Sequence, residues 1–149
     1  KQKIRDFGVK VKLNPIKSVI KGKRVVVIDD SIVRGTTSKH RVNAIQQAGA
    51  KEIHLRISSP PIVSPCFFGI DTPKKDKLIA ANENLETIRD FVGADTLGYL
   101  SREGMLSVIE SHQPEDFCTG CFTGKYPIRV KDKGKFASEA QKIKLFNNK

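Results

Sequence analysis

No run of apolar residues in this sequence approaches the roughly 20 that a membrane-spanning helix needs, which excludes the membrane class. The lysine-rich start is not followed by the apolar segment of a secretory signal, so the expected setting is cytoplasmic. Cysteine is scarce and odd in number. Cys66, Cys118 and Cys121 cannot close a disulfide framework among themselves, and a reducing cytosol disfavours one. Repeats and low-complexity tracts are missing. Methionine occurs once, as Met105, so Lys1 is not read as a translation start. We therefore expect part of any site to lie before it.

What is present fits one compact domain: 149 residues, 38% apolar, 29% charged, with 11 glycines. The net charge of +11 is unevenly spread. Residues 1–24 carry nine Lys/Arg against one Asp, residues 125–149 carry eight against two, and the stretch between carries ten against thirteen. A nucleic-acid reader more often puts its basic face on the folded body. The two ends are therefore read as solvated or anion-attracting segments, and nucleic acid is not the expected partner.

Val25 to Ile28 form an unbroken β-branched run, the pattern of a central parallel strand buried on both faces. The sequence SIVRGTTS then reads as a loop, and KHRVNAIQQAGA as a helix with Val42, Ile45 and Ala48 inward and a stop at Gly49. Alternation of Ile53, Leu55 and Ile57 with His54 and Arg56 predicts a strand with one wetter face. Strand, loop, helix and strand make a βαβ unit of an α/β fold, a doubly wound parallel sheet present only in part. Further on, Leu85, Ile88, Phe91 and Val92 form a helical stripe closed by Gly93. TLGYL is a short strand, and Ser101 caps a helix carrying Met105, Leu106 and Ile109, with a weak helical stretch near residues 137–146. Only three or four strands result, so strands before Lys1 are expected to complete the sheet.

The chemistry is concentrated in VVVIDDSIVRGTTS. A buried strand delivers Asp29 and Asp30 to its C-terminal end, where open α/β sheets bind ligands. Gly35 with Thr36, Thr37 and Ser38 then opens a helix, whose free N–H groups and dipole favour a phosphate. Carboxylates beside a phosphate cradle would repel a simple anion. They suit a ligand that also carries hydroxyls or a metal ion, such as a sugar phosphate with a cis-diol. Neither GxxxxGK[ST] nor GxGxxG is present, so P-loop and dinucleotide readings fail.

VVVIDDSIVRGTT resembles the phosphoribosyl pyrophosphate fingerprint of type I phosphoribosyltransferases. KLNPIKSVIKGKRVVVIDDSIVRGTTS, AGAKEIHLRISSPP, CFFGIDT, GADTLGYLS and CFTGKYP together resemble the C-terminal part of the glutamine amidophosphoribosyltransferases, over about residues 5 to 127. The resemblance implies a glycosyltransferase that uses phosphoribosyl pyrophosphate and glutamine-derived ammonia to make 5-phosphoribosylamine, glutamate and pyrophosphate, at the start of purine synthesis. It implies that Asp29 and Asp30 hold the ribose hydroxyls and help to place Mg²⁺. Ser31 would also line the substrate site, while Val33, Arg34, Gly35, Thr36 and Thr37 bind the 5′-phosphate. KIRDFGVKVKLN resembles the end of a mobile loop that closes over substrate, with Lys10 and Lys12 near the pyrophosphate; solvated side chains are the alternative. The glutaminase part, with its cysteine nucleophile, is expected before Lys1, so this chain alone is expected to have no amidotransferase turnover. The full enzyme is expected to be a homo-oligomer.

Cys118 and Cys121 form a CxxC, which by itself leaves zinc, cluster, redox and plain buried-thiol readings open. It does not open a helix after a strand, which disfavours the redox reading. One branch of the family binds a [4Fe-4S] cluster, and the resemblance implies Cys66, Cys118 and Cys121 as three of its ligands, with the fourth upstream. His40, His54 and His112 show no ligand spacing and are read as packing or surface residues. The expected division is a basic lead-in over 1–24, phosphoribosyltransferase sequence over 24–112, and an irregular cysteine-bearing segment with a basic tail over 113–149. Two other classes stand beside the enzyme: a phosphoribosyltransferase-fold regulator that senses phosphoribosyl pyrophosphate and binds nucleic acid, and a structural metal module.

Overall fold

The computed structural model describes residues 14–108 and 113–129. Lys10, Lys12, Ile109, His112 and the helical stretch expected near 137–146 lie outside them. In chain order the elements are α1 (Lys17–Ile20), β1 (Arg24–Asp29), α2 (Thr36–Gln47), β2 (Glu52–Ile57), α3 (Ile79–Asn82), α4 (Leu85–Val92), β3 (Thr96–Tyr99), α5 (Arg102–Leu106) and α6 (Gly120–Thr123). Single 3₁₀ turns precede α3 and α6, at Lys75–Lys77 and Pro114–Asp116.

The three strands form one parallel sheet in the order β1-β2-β3. Val27 stands opposite Leu55, and Leu55 opposite Leu97. Alternation in β2 points Ile53, Leu55 and Ile57 to one face, where each is at most 2% exposed. Val42 and Ile45 of α2 pack on Ile53, while Ile88 and Val92 of α4 pack near Leu55, Ile57 and Leu97. Each such buried aliphatic chain contributes about 2 kcal/mol of transfer free energy, so β2 is the spine of the core. Hydrogen bonds fasten the layers. Asp95 accepts the Ile53 amide at 2.7 Å, and Gln46 Nε2 donates to the Gly93 carbonyl at 2.8 Å.

The opposite face is the wetter one expected for β2. Glu52 accepts from Arg24 Nε at 2.7 Å, and both His54 Nδ1 (3.0 Å) and Arg56 Nη1 (2.9 Å) reach Thr96 Oγ1. This face corrects the expectation for β1. Val26 and Ile28 are 61% and 75% exposed, because α2 and α4 both lie on the other side and β1 has only β2 as neighbour among the described residues. A continuous β-branched run fits a strand covered twice, but the described residues cover it once.

Two smaller differences concern helix α2 and the α4 stripe. Helix α2 starts at Thr36, three residues before the run that announced it, since Thr36, Thr37 and Ser38 form its first turn. In α4, Ile88 and Val92 are buried, whereas Leu85 and Phe91 remain partly exposed. Its N-cap is Asn84, whose side chain accepts the Thr87 amide at 2.8 Å. Ser101 caps α5 as expected, accepting from the Gly104 amide at 2.9 Å. No helix among the described residues is long and apolar enough to cross a membrane.

Candidate functional site

At the C-terminal end of β1 a cleft of about 510 Å³ opens toward the N-terminus of α2. Asp29, Asp30, Ser31, Val33, Arg34, Gly35, Thr36 and Thr37 all line it, so one concavity gathers every residue that the fingerprint singled out. Ser38, His40, Arg41, Asp71 and Pro73 complete the wall. Pattern alone gave no role to Arg41 or Asp71. Arg41 sits within the helical run, and Asp71 belongs to a loop distant in sequence.

Parallel pairing places the acids. Asp29 stands opposite Ile57, and its carbonyl accepts from the Ser58 amide at 2.9 Å, so the last rung of the ladder fixes its backbone. The two carboxylates then differ. Asp29 Oδ2 is ion-paired with Arg41 Nη1, with both side chains largely covered. Asp30 is exposed. Partial burial works to raise its carboxyl, but contact with Asp29, the amides of Asp30 and Ser31 and the Ser31 hydroxyl outweigh this and hold it below its ordinary value. Ser31 Oγ donates to Asp30 Oδ2 at 3.4 Å.

The phosphate side depends on Gly35. Its φ of +77° is the left-handed region, which costs a side chain about 1 kcal/mol or more. A Cβ there would also lie 3.0 Å from Phe91 Cε1 and 3.2 Å from Ile79 Cδ1. The turn rests on α3 and α4, and the Ile79 amide anchors it by donating to the Val33 carbonyl at 2.9 Å. Phe91, expected in the core, serves this turn instead: its outer face carries Lys39 Nζ at 4.5 Å from the ring centroid. Beyond Gly35 the first amides of α2 have no carbonyl one turn back to bond, which leaves donors and the positive end of the helix dipole at the cleft.

The cysteines lie elsewhere. Cys121, in α6, has its carbonyl bonded by the amides of Val63 (2.9 Å) and Ser64 (3.0 Å), which brings the CxxC segment against the loop holding Cys66. All three thiols are free. Burial, with a smaller contribution from the neighbouring Cys66 and Cys118, pushes the Cys121 thiol up. Among the described residues no three His, Cys, Asp or Glu side chains converge closely enough to hold a single metal ion.

No family model matches the chain. Individual proteins do. A chloroplastic amidophosphoribosyltransferase of Vigna aconitifolia is 52% identical over 137 residues, which are 92% of this chain and 28% of that protein. An amidophosphoribosyltransferase of Methanocaldococcus jannaschii is 53% identical over 129 residues, 87% of this chain and 27% of its own length. Among solved structures, the glutamine phosphoribosylpyrophosphate amidotransferase of B. subtilis, complexed with ADP and GMP, superposes with a TM-score of 0.77 at 48% identity, covering 89% of this chain.

Over most of its length this chain is similar to part of the amidophosphoribosyltransferases.

A second solved structure, described as the allosteric regulatory enzyme of purine biosynthesis, gives the same TM-score of 0.77 at 44% identity over 94% of this chain. The chain spans between a quarter and a third of the length of these relatives and solved structures. The α/β expectation, with a parallel sheet of the phosphoribosyltransferase type, agrees with both superpositions.

Proposed function

We propose that this chain supplies the phosphoribosyl-transfer part of an amidophosphoribosyltransferase. The complete protein would take phosphoribosyl pyrophosphate and glutamine to 5-phosphoribosylamine, glutamate and pyrophosphate, the first step of de novo purine synthesis. The carrying observation is the single cleft in which an exposed carboxylate, Asp30, faces a glycine-headed helix terminus across Ser31 to Thr37. A pentose with a 5′-phosphate satisfies both walls: its hydroxyls donate to Asp30 and Asp29, and its phosphate accepts from the amides around Gly35, Thr36 and Thr37. Arg34, exposed on the same wall, adds positive charge for the phosphate. Ammonia from the glutaminase part, placed in the remaining length of the relatives, attacks C1 as pyrophosphate leaves. Electron demand at the ring then favours the nearby carboxylates.

Mg²⁺ commonly binds through one or two carboxylates together with substrate phosphates and water. A lone exposed Asp30, with Asp29 partly committed to Arg41, fits that mode better than an all-protein cage. When bound, the ion would neutralise the leaving pyrophosphate. Three free thiols on two joined loops are the soft donors an iron-sulfur cluster takes, and we assign Cys66, Cys118 and Cys121 to a [4Fe-4S] cluster completed by a fourth ligand from elsewhere in the protein. Zinc needs sulfurs at about 2.3 Å from one ion, a tighter convergence than these residues show. The division into 1–24, 24–112 and 113–149 is part of the same proposal.

Ammonia-dependent release of pyrophosphate from phosphoribosyl pyrophosphate by the full-length protein tests the assignment. Asp30→Asn is expected to lower kcat/KM at least about tenfold, the loss of one charge-assisted hydrogen bond. An Asp30→Asn enzyme as active as the parent would refute it.

A further inference from the structure

Three thiols gathered on two loops repel one another once ionised, so something other than the cysteines must hold the loops together before a metal arrives. The contacts that do so centre on Tyr126. Its hydroxyl donates to the Pro65 carbonyl at 2.6 Å, across 61 residues of sequence. Its ring stands edge-on to Phe67 at 5.0 Å and to Phe68 at 6.0 Å between centroids, the two residues that follow Cys66. Gly120, between the two cysteines of the CxxC, is buried directly against that ring. A methyl group added at Gly120 would overlap Tyr126 Cδ1 and Cε1. Gly120 does not have a positive φ, so space rather than backbone conformation demands glycine here. The same docking lets the Cys121 carbonyl accept the Val63 and Ser64 amides. None of these contacts uses a sulfur.

We propose that Tyr126 and Gly120 are a positioning pair. Together they clasp the CxxC segment onto the Cys66 loop without metal and so preassemble the thiols that receive the cluster. The inference rests on the cluster assignment above, but it concerns the order of assembly: protein contacts first, metal second. An interlocked ring and glycine suit this role because apolar packing and a neutral hydrogen bond are indifferent to whether the thiols are ionised, metallated or oxidised. The cysteine-bearing segments are then already joined before metal binds, which lowers the entropy cost of collecting ligands from distant parts of the chain.

The test uses the full-length protein purified without oxygen, as wild type, Gly120→Ala and Tyr126→Phe. Each is measured with its iron and after iron removal under reducing conditions. Hydrogen exchange of the peptides carrying the Val63 and Ser64 amides reports the clasp, and iron per chain and the loss of visible cluster absorbance in air report the cluster. Iron-stripped wild type is expected to keep both amides protected. Gly120→Ala should lose that protection and take up less than half the wild-type iron. Tyr126→Phe keeps the ring and loses only the hydroxyl, so it should still fold and should lose its cluster about fivefold faster, as one net hydrogen bond allows. Wild type that binds no iron yet protects both amides sinks the cluster assignment and leaves the clasp standing. Iron-bound wild type with both variants indistinguishable from it overturns the clasp alone, as does protection that vanishes whenever iron is removed.

Discussion

Arg41 reaches back from the second turn of α2 to pair its guanidinium with Asp29, the last residue of β1. One helix therefore contributes twice to the cleft, through its free N-terminal amides and through a cation that engages one of the two acids. Asp29 is thereby partly a structural residue and Asp30 the open one. Arg41 Nε is buried with no partner among the described residues, so the pair's fixed geometry is bought with one unmet donor.

Breaking this pair should destabilise the fold. Arg41→Met is expected to cost about 2 kcal/mol, less than a fully buried pair because both partners keep some contact with water. Chemical denaturation of the full-length protein measures it. In a double-mutant cycle the Asp29→Asn, Arg41→Met protein should lose less than the sum of the single losses. Strict additivity would show that the two side chains do not interact.

Asp30 has a definite pH signature. Its native carboxyl lies below the ordinary value of 3.8, so the stability it contributes is fully present above that value. As pH falls through the lower native midpoint, that contribution is lost. Carboxyl-carbon NMR of the ligand-free protein should place the Asp30 midpoint under 3.8; a midpoint above it contradicts the hydrogen-bonded arrangement with Ser31.

Gly35→Ala should fail in two ways at once. The left-handed backbone and the contacts with Phe91 and Ile79 together cost about 1–3 kcal/mol, read as a lower Tm. The displaced turn should also weaken phosphoribosyl pyrophosphate binding at least about tenfold, a shift of roughly 1.4 kcal/mol. Unchanged affinity would mean that the phosphate does not sit on this turn.

Tyr99 makes a contrasting case. Its hydroxyl is buried without a partner among the described residues, and burial pushes its pKa up to about 12. Tyr99→Phe removes an unmet polar group while keeping the ring on the core, so it should leave stability unchanged or raise it by about 1 kcal/mol. A clear loss in Tm would reveal a partner for the hydroxyl.

The strand, turn and helix around Asp29 to Thr37 were legible because their signals are local. A β-branched run, an acid pair, one glycine and hydroxyl residues lie within a single stretch, and the fold leaves them adjacent. Arg41 and Asp71 were not legible as parts of the cleft, nor Phe91 as the support of its turn, since each takes its place through a register that only packing fixes. The same holds for Tyr126: it lies within CFTGKYP, but its partner Pro65 is 61 residues away, and nothing in the motif announces that contact. The open face of β1 was misread for a related reason. Val26 and Ile28 look like core residues in sequence, yet whether they are covered depends on which elements lie over them, and hydrophobic pattern does not report that.

Isothermal titration of the full-length protein with phosphoribosyl pyrophosphate, with and without Mg²⁺, tests the central claim most directly. The cleft predicts saturable binding that Mg²⁺ strengthens and that Asp30→Asn weakens at least about tenfold, roughly 1.4 kcal/mol. Heat of dilution alone in the wild type, or affinity that ignores both the ion and the Asp30 carboxylate, would contradict it.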